Sequence, residues 1–349
     1  MRLKGTLFLL ACTAVLAACS GRVVPVSGNA TGDTGRYFSL IDSTCSVVSI
    51  SPFTGDADTL VVEHPLSRIV CMSSSYVAGL EMAGAGETVV GVSGARLIGR
   101  DDLPEVGYNG ALEYETILSL RPDVVLAYLS SPAEAQYWKK IQQMGIRVFQ
   151  VYDFMEEDPL ARASYMRLMG RLTGHAEAAD SVFAEVSRRY EEIASKVPSS
   201  PVVKVLMNVP YGGAWYVPGK ENYMSRLFAA AGAEILGAPE TAPGTPAGQS
   251  GTITMEDAYA LSQEADFWMN PGWCGSKDEL RALHQMFGEF PVIGKGVWNN
   301  TLKATPSGGN DFWMSGAVRP DLILEDLVRI FHPGTINVDK DYNYYKELI

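Results

Sequence analysis

Histidine is scarce in this chain. Four occur in 349 residues (His64, His175, His284, His332), all isolated from one another. A bare-metal site usually needs clustered imidazoles or carboxylates, so direct capture of zinc or manganese is not expected. Runs of Lys and Arg are also missing, and the formal charge is −12, which argues against nucleic acid or an anionic lipid surface as partner. Enzyme fingerprints are absent or broken. Gly219-Lys220-Glu221 ends like a phosphate loop, but Glu stands where Ser or Thr must reach the metal. Gly84-Ala85-Gly86 lacks the third glycine of a dinucleotide turn, and no G-x-S-x-G elbow exists. No apolar run is long enough to stay in a bilayer as a helix.

Cysteine is limited to five positions. Two of them, Cys12 and Cys19, fall in a front end that reads as a targeting segment. Arg2 and Lys4 are followed by apolar and small residues over 6–18, then Leu16-Ala17-Ala18-Cys19, a bacterial lipoprotein box. Residues 1–18 are expected to be removed and Cys19 lipidated, with the alternative of an ordinary secretion signal and an incidental Cys. Residues 19–35, rich in Gly, Ser and Thr, read as a tether. Acyl chains would hold the protein on a membrane while the folded part stays in water. Among the remaining thiols, Cys45, Cys71 and Cys274, an odd number rules out a full disulfide framework. They read as buried small apolar residues, a Cys45–Cys71 bridge being the alternative.

What the chain does contain is α/β rhythm around one long helical stretch. Residues 36–63 alternate as a strand pair. Short apolar strands at 68–72, 88–92, 123–128 and 146–152 are then separated by helix-patterned segments, which implies parallel pairing. The rhythm resumes with strands at 202–209, 215–217, 266–270 and 296–299 and helices at 221–231, 255–263, 276–287 and 320–331. Residues 237–251 read as a Pro/Gly loop. Between the halves, Asp158 is a good N-cap and Pro159 fits the first helical position. Apolar residues then recur on one face from Leu168 to Val197. As one helix, 158–197 would span about 60 Å at 1.5 Å per residue, with Gly170 and Gly174 as the points where it bends or splits. The expected fold class is α/β: two parallel-sheet lobes, 36–157 and 198–349, joined by a long spanning helix at 158–197. A weak repeat relates the lobes, since Asp123-Val124-Val125 and Asp266-Phe267-Trp268 each follow a helix directly.

In open parallel sheets the ligand crevice lies beyond the carboxyl ends of the strands. There, lobe two is enriched in aromatic and amide side chains: Tyr211, Trp215, Asn270, Trp273 and Trp313. Lobe one offers Arg96, Arg100, Tyr108 and Tyr128. Trp215 and Trp273 flank turns and are open to either a cleft or a core role; Arg96 and Arg100 are open to a solvated-loop role. Aromatic walls with a few Arg and amide groups suit a large, flat, partly anionic ligand.

Several stretches, read in order, carry a resemblance. They are Pro65-Leu66-Ser67-Arg68-Ile69-Val70, Val89-Val90-Gly91-Val92, Val106-Gly107-Tyr108 and Ile117-Leu118-Ser119-Leu120-Arg121-Pro122-Asp123-Val124-Val125. The tail adds Val297-Trp298-Asn299-Asn300, Gly309-Asn310-Asp311-Phe312-Trp313 and Arg319-Pro320-Asp321-Leu322. Together they resemble the class III substrate-binding proteins of ABC importers, in the version common in Bacteroidetes, which carry ferric siderophores, haem or cobalamin. The resemblance covers about residues 36–346. It implies a ligand held between lobes, no catalysis and no cofactor, an ABC permease as partner, and a monomer anchored in the periplasm through Cys19. It ranks ferric siderophore first, cobalamin second and haem third, since no motif places an axial haem ligand. It also implies one docking Glu per lobe: Glu221 in lobe two, and in lobe one, where the usual Thr-Glu reads Val77-Ala78, Glu81 a turn later. The rival readings are a surface-exposed capture lipoprotein serving an outer-membrane receptor, disfavoured by the non-acidic Ser20-Gly21-Arg22, and a chelate-processing enzyme.

Overall fold

The computed structural model describes residues 35–41, 45–240, 249–336 and 340–349. The expected signal peptide, Cys19 and the tether up to residue 34 lie outside them, as does most of the Pro/Gly loop.

The described residues open with β1 (Phe38–Ile41), β2 (Ser46–Ile50) and β3 (Ala57–Val61), an antiparallel sheet of three strands rather than the expected pair. Then come β4 (Ile69–Cys71), α1 (Ser74–Met82), β5 (Val89–Val92), the short pair β6 (Gly107–Tyr108) and β7 (Ala111–Leu112), α2 (Tyr114–Leu120), β8 (Val124–Ala127), α3 (Ala135–Gln143) and β9 (Val148–Gln150). Strands β5-β4-β8-β9 form one parallel sheet in that order. Its central strands, Ile-Val-Cys and Val-Val-Leu-Ala, are buried at every residue. Helices cover both faces, so nothing on these strands can be polar.

The connecting stretch departs from a straight strut. It is three helices: α4 (Pro159–Ala163), α5 (Tyr165–Thr173) and α6 (Ala176–Ala194). Asp158 caps α4 as expected, its carboxylate accepting from Leu160 and Ala161 N–H at 2.8 and 3.0 Å. The stretch breaks at Ser164 and again at Gly174, where the backbone is left-handed at φ 77°. Helix α5 packs on α1, and α6 packs on the helix Pro320–Phe331 of the second half, so the turn at Gly174 hands the chain from one lobe to the other. The apolar face of α6 is buried as its periodicity requires, through Ala179, Phe183, Val186, Tyr190 and Ile193.

The second half contains β10 (Val203–Met207), β11 (Trp215–Pro218), α7 (Tyr223–Ala230), β12 (Ala233–Ile235), β13 (Ser250–Ile253), α8 (Met255–Glu264), β14 (Phe267–Met269), α9 (Lys277–Leu283), β15 (Gly296–Asn299), α10 (Ser315–Val318), α11 (Pro320–Phe331) and β16 (Lys346–Glu347). The sheet order is β12-β10-β14-β15-β16, parallel except for the edge strand β16. Strands β12, β13 and β16 escape a reading of the sequence because each is too short to show a period. Residues 250 and 251, expected as the end of the loop, belong instead to β13, which pairs with β11.

The weak repeat has a structural counterpart. Asp123 accepts from the N–H groups of Ser67 and Arg68, while its own N–H donates to the Arg68 carbonyl at 2.8 Å. Asp266 accepts from Lys204 N–H at 2.9 Å and donates to the Lys204 carbonyl at 2.7 Å. In each lobe this Asp staples the start of one strand to the start of its neighbour.

Among the described residues Cys45, Cys71 and Cys274 form no disulfide with one another. Cys71 is buried in β4, with burial pushing its thiol well up, and Cys274 is buried. Cys45 is exposed at the start of β2, contrary to the expectation that it is buried.

Candidate functional site

Strands β4, β5, β8 and β9 of one lobe, and β10, β14 and β15 of the other, each end in a loop that carries polar or aromatic side chains. Two of these loops meet across the lobes. Ser307, in the loop after β15, donates its hydroxyl to the Arg96 carbonyl in the loop after β5, at 2.9 Å. Gly309 packs against the Leu97 backbone. The segments that follow β5 and β15 therefore meet, and in parallel α/β sheets ligand is expected beyond such carboxyl ends.

The lobe-one rim is shaped by Glu105. Its carboxylate accepts from the N–H groups of Gly94, Ala95 and Gly107 at 2.9–3.0 Å, folding residues 94–107 into a rigid loop. Arg96 projects from this loop, exposed and without an ion pair among the described residues. Arg100 is not free: it pairs with Asp102 at 2.9 Å and with Glu81 at 3.1 Å. Tyr108 is exposed in the neighbouring turn, and Asn109 beside it donates to the Tyr128 carbonyl at 3.3 Å. Tyr128 itself is half-buried, edge-on to Phe154, and burial raises its phenol.

In lobe two, Tyr211 and Trp273 are among the most exposed large side chains, at 83% and 62%. Their loops adjoin, because Gly272 lies against Val209. Trp313 is partly exposed and edge-on to Phe312 at 4.8 Å. Asn270 ends β14 in a left-handed conformation, φ 56°, and is almost fully buried.

Trp215 is corrected from the cleft to the core. It is 2% exposed, stacked on Trp268 and Phe290 at 5.9 and 6.2 Å, with its indole N–H donated to the Met207 carbonyl. A tryptophan beside a turn looks accessible in sequence. Here the strand β11 that carries it turns its side chain inward over the sheet.

The two acidic candidates for docking are both held by arginine. Glu81 sits in the last turn of α1 against Arg100, and Glu221 lies just before α7, paired with Arg226. Both remain substantially exposed. Arg226 also reaches Glu157 at 3.0 Å, and Glu157 pairs with Arg36, so the lobes are tied through one carboxylate at their junction. Beside it, Arg162 pairs with Asp153 at 3.4 Å, both buried, and lies 4.4 Å over the Tyr223 ring. Among the described residues no cluster of His, Cys, Asp and Glu could hold a metal ion. Sequence reasoning missed Glu105, Ser307 and Gly309. Their partners are a loop fold and the opposite lobe, which leave no periodic trace.

A family profile described as "Periplasmic binding protein" matches residues 69–294. An uncharacterised lipoprotein of Methanocaldococcus jannaschii is 22% identical over 335 residues, covering 90% of this chain and 76% of that protein. A protein of Halobacterium salinarum named cobalamin-binding protein is 25% identical over 237 residues, covering 67% of this chain and 61% of that protein. The crystal structure of a periplasmic haem-binding protein from Pseudomonas aeruginosa superposes with a TM-score of 0.58 at 20% identity, covering 81% of this chain and 98% of that one.

Proposed function

The chain belongs to the periplasmic binding protein family, and on that premise we propose that it binds a metal chelate in the crevice between its lobes and delivers it to an ABC importer. The observation that carries this reading is the set of exposed rings after parallel-strand ends on both lobes: Tyr108, Tyr211, Trp273 and Trp313. Rings exposed on these segments offer apolar faces that a large flat ligand would cover. Arg96, exposed and without an ion pair among the described residues, suits an anionic group on that ligand. Ferric siderophore is proposed as the first ligand, cobalamin as the second and haem as the third, in the order the family resemblance implies. The names of the relatives from Halobacterium and Pseudomonas support the same class of ligand. No catalysis is proposed, since transport energy would come from the partner ATPase. The protein would work as a monomer outside the cytoplasmic membrane, held there by lipid on Cys19.

Tryptophan-fluorescence titration of residues 20–349 with a ferric tris-catecholate, cyanocobalamin and haemin tests the ligand class. Saturable quenching by one of them at micromolar concentration or below is the expected result. Absence of any response would sink the proposed ligand class. Mass spectrometry of the membrane-extracted N-terminal peptide tests the anchor, and an unmodified Cys19 would refute it.

A further inference from the structure

The contact between the two loops has a construction of its own. On the lobe-two side, Gly309 N–H donates to Thr305 Oγ1 at 3.0 Å, Thr305 Oγ1 lies 2.9 Å from Ser307 Oγ, and Ser307 donates onward to the Arg96 carbonyl. One assignment of protons satisfies all three bonds, so the tip is preorganised before it meets the other lobe. On the lobe-one side, Glu105 holds the backbone of residues 94, 95 and 107, and the N–H groups of Leu97 and Ile98 both donate to the Gly94 carbonyl. Gly309 does not have the left-handed backbone that asks for glycine. What excludes a side chain there is space: a Cβ on Gly309 would overlap the Leu97 carbonyl.

We propose that Ser307 and Gly309 are positioning residues that clamp the loop of residues 94–100 to lobe two. The clamp sets the width of the crevice and holds Arg96 at its rim for the anionic part of a ligand; the ligand half of this inference rests on the crevice being the binding site. Two rigid tips in backbone contact can neither slide past each other nor close further, so the crevice has a fixed lower bound on width. Because Ser307 bonds to Arg96 through the main chain, the guanidinium stays unengaged by the clamp.

The test uses the full chain in detergent with Cys45→Ser and spin labels at Glu115→Cys in α2 and Asp278→Cys in α9, one per lobe. In ligand-free protein, Gly309→Val is expected to lengthen the distance between labels. Ser307→Ala, which introduces no clash, is expected to broaden its distribution. An unchanged distance and width in both variants would overturn the clamp, whatever the ligand. With a ferric tris-catecholate as probe, Gly309→Val is expected to raise Kd about tenfold in the native background. That effect should vanish in an Arg96→Gln background. An equal loss in both backgrounds would overturn the positioning of Arg96. Failure of the native chain to bind the probe would overturn the ligand class and leave the distance measurement to decide the clamp.

Discussion

Arg167 and Asp180 are thirteen residues apart in sequence and meet at 2.6 Å in the structure. On a continuous helix they would be separated by about 20 Å. The ion pair, with Arg167 also lying over the Phe183 ring at 5.5 Å, exists because α5 folds back against α6 at Gly174. The lobes are therefore joined by a folded corner of helices, in which α5 is committed to lobe one and α6 to lobe two.

The corner depends on the backbone of Gly174. Its left-handed φ strains any other residue, and a Cβ there would lie 3.0 Å from Pro65. Gly174→Ala should cost about 1–2 kcal/mol. Urea denaturation followed by circular dichroism reads this as a lower midpoint at unchanged slope.

Glu156 makes stability depend on pH. It is buried beneath β1, accepting from the Tyr37 N–H at 3.1 Å and the Tyr165 hydroxyl at 2.9 Å. Burial outweighs these bonds and pushes its carboxyl from 4.5 up to about 7. Between those values the folded state keeps a proton that the unfolded chain has released. Stability therefore falls as pH rises from 4.5 to about 7, by about 3 kcal/mol in total, and this group adds no further change above that. Glu156→Gln should flatten that part of the profile in denaturation series from pH 4 to 8; a slope equal to the native one would show that another group is responsible.

Trp215 and Trp273 should behave oppositely. Trp215→Ala empties a core site stacked between aromatic neighbours and should cost about 3–5 kcal/mol. Trp273→Ala, at an exposed position, should change stability by less than about 0.5 kcal/mol while reducing the fluorescence response to ligand.

The docking assignment predicts a separation of effects. Glu81→Ala with Glu221→Ala should leave ligand affinity unchanged and weaken capture by the permease in a reconstituted pull-down. Each change also removes one of an arginine's two carboxylate partners, Arg100 keeping Asp102 and Arg226 keeping Glu157, so the surface becomes locally more basic. Permease binding equal to native would remove both residues from the docking surface.

Much of the architecture is legible in the chain itself, because its causes are local. Continuous apolar runs such as Val124–Ala127 must be buried on both faces, and parallel order follows once helices separate them. The cap at Asp158 and the buried stripe from Ala179 to Ile193 are stated by residue type and spacing alone. The candidate site was legible only in outline: strand ends mark where a crevice is expected, and Tyr211 and Trp273 are exposed on the segments that follow them.

Tertiary structure decided the rest, since the deciding interactions join residues far apart in sequence. Whether an aromatic after a turn faces crevice or core depends on which way a short strand rolls over its sheet, and β11 carried Trp215 inward. Arg96 and Arg100 are alike in sequence, yet Glu81 and Asp102 engage only Arg100. Gly174 reads as a weak point in a helix, but only the packing of α5 on α1 and of α6 on α11 makes it a corner. The contact of Ser307 with Arg96 spans 211 positions and two lobes. Spacing records local periodicity, whereas such contacts join residues that only the packing of the two lobes brings together.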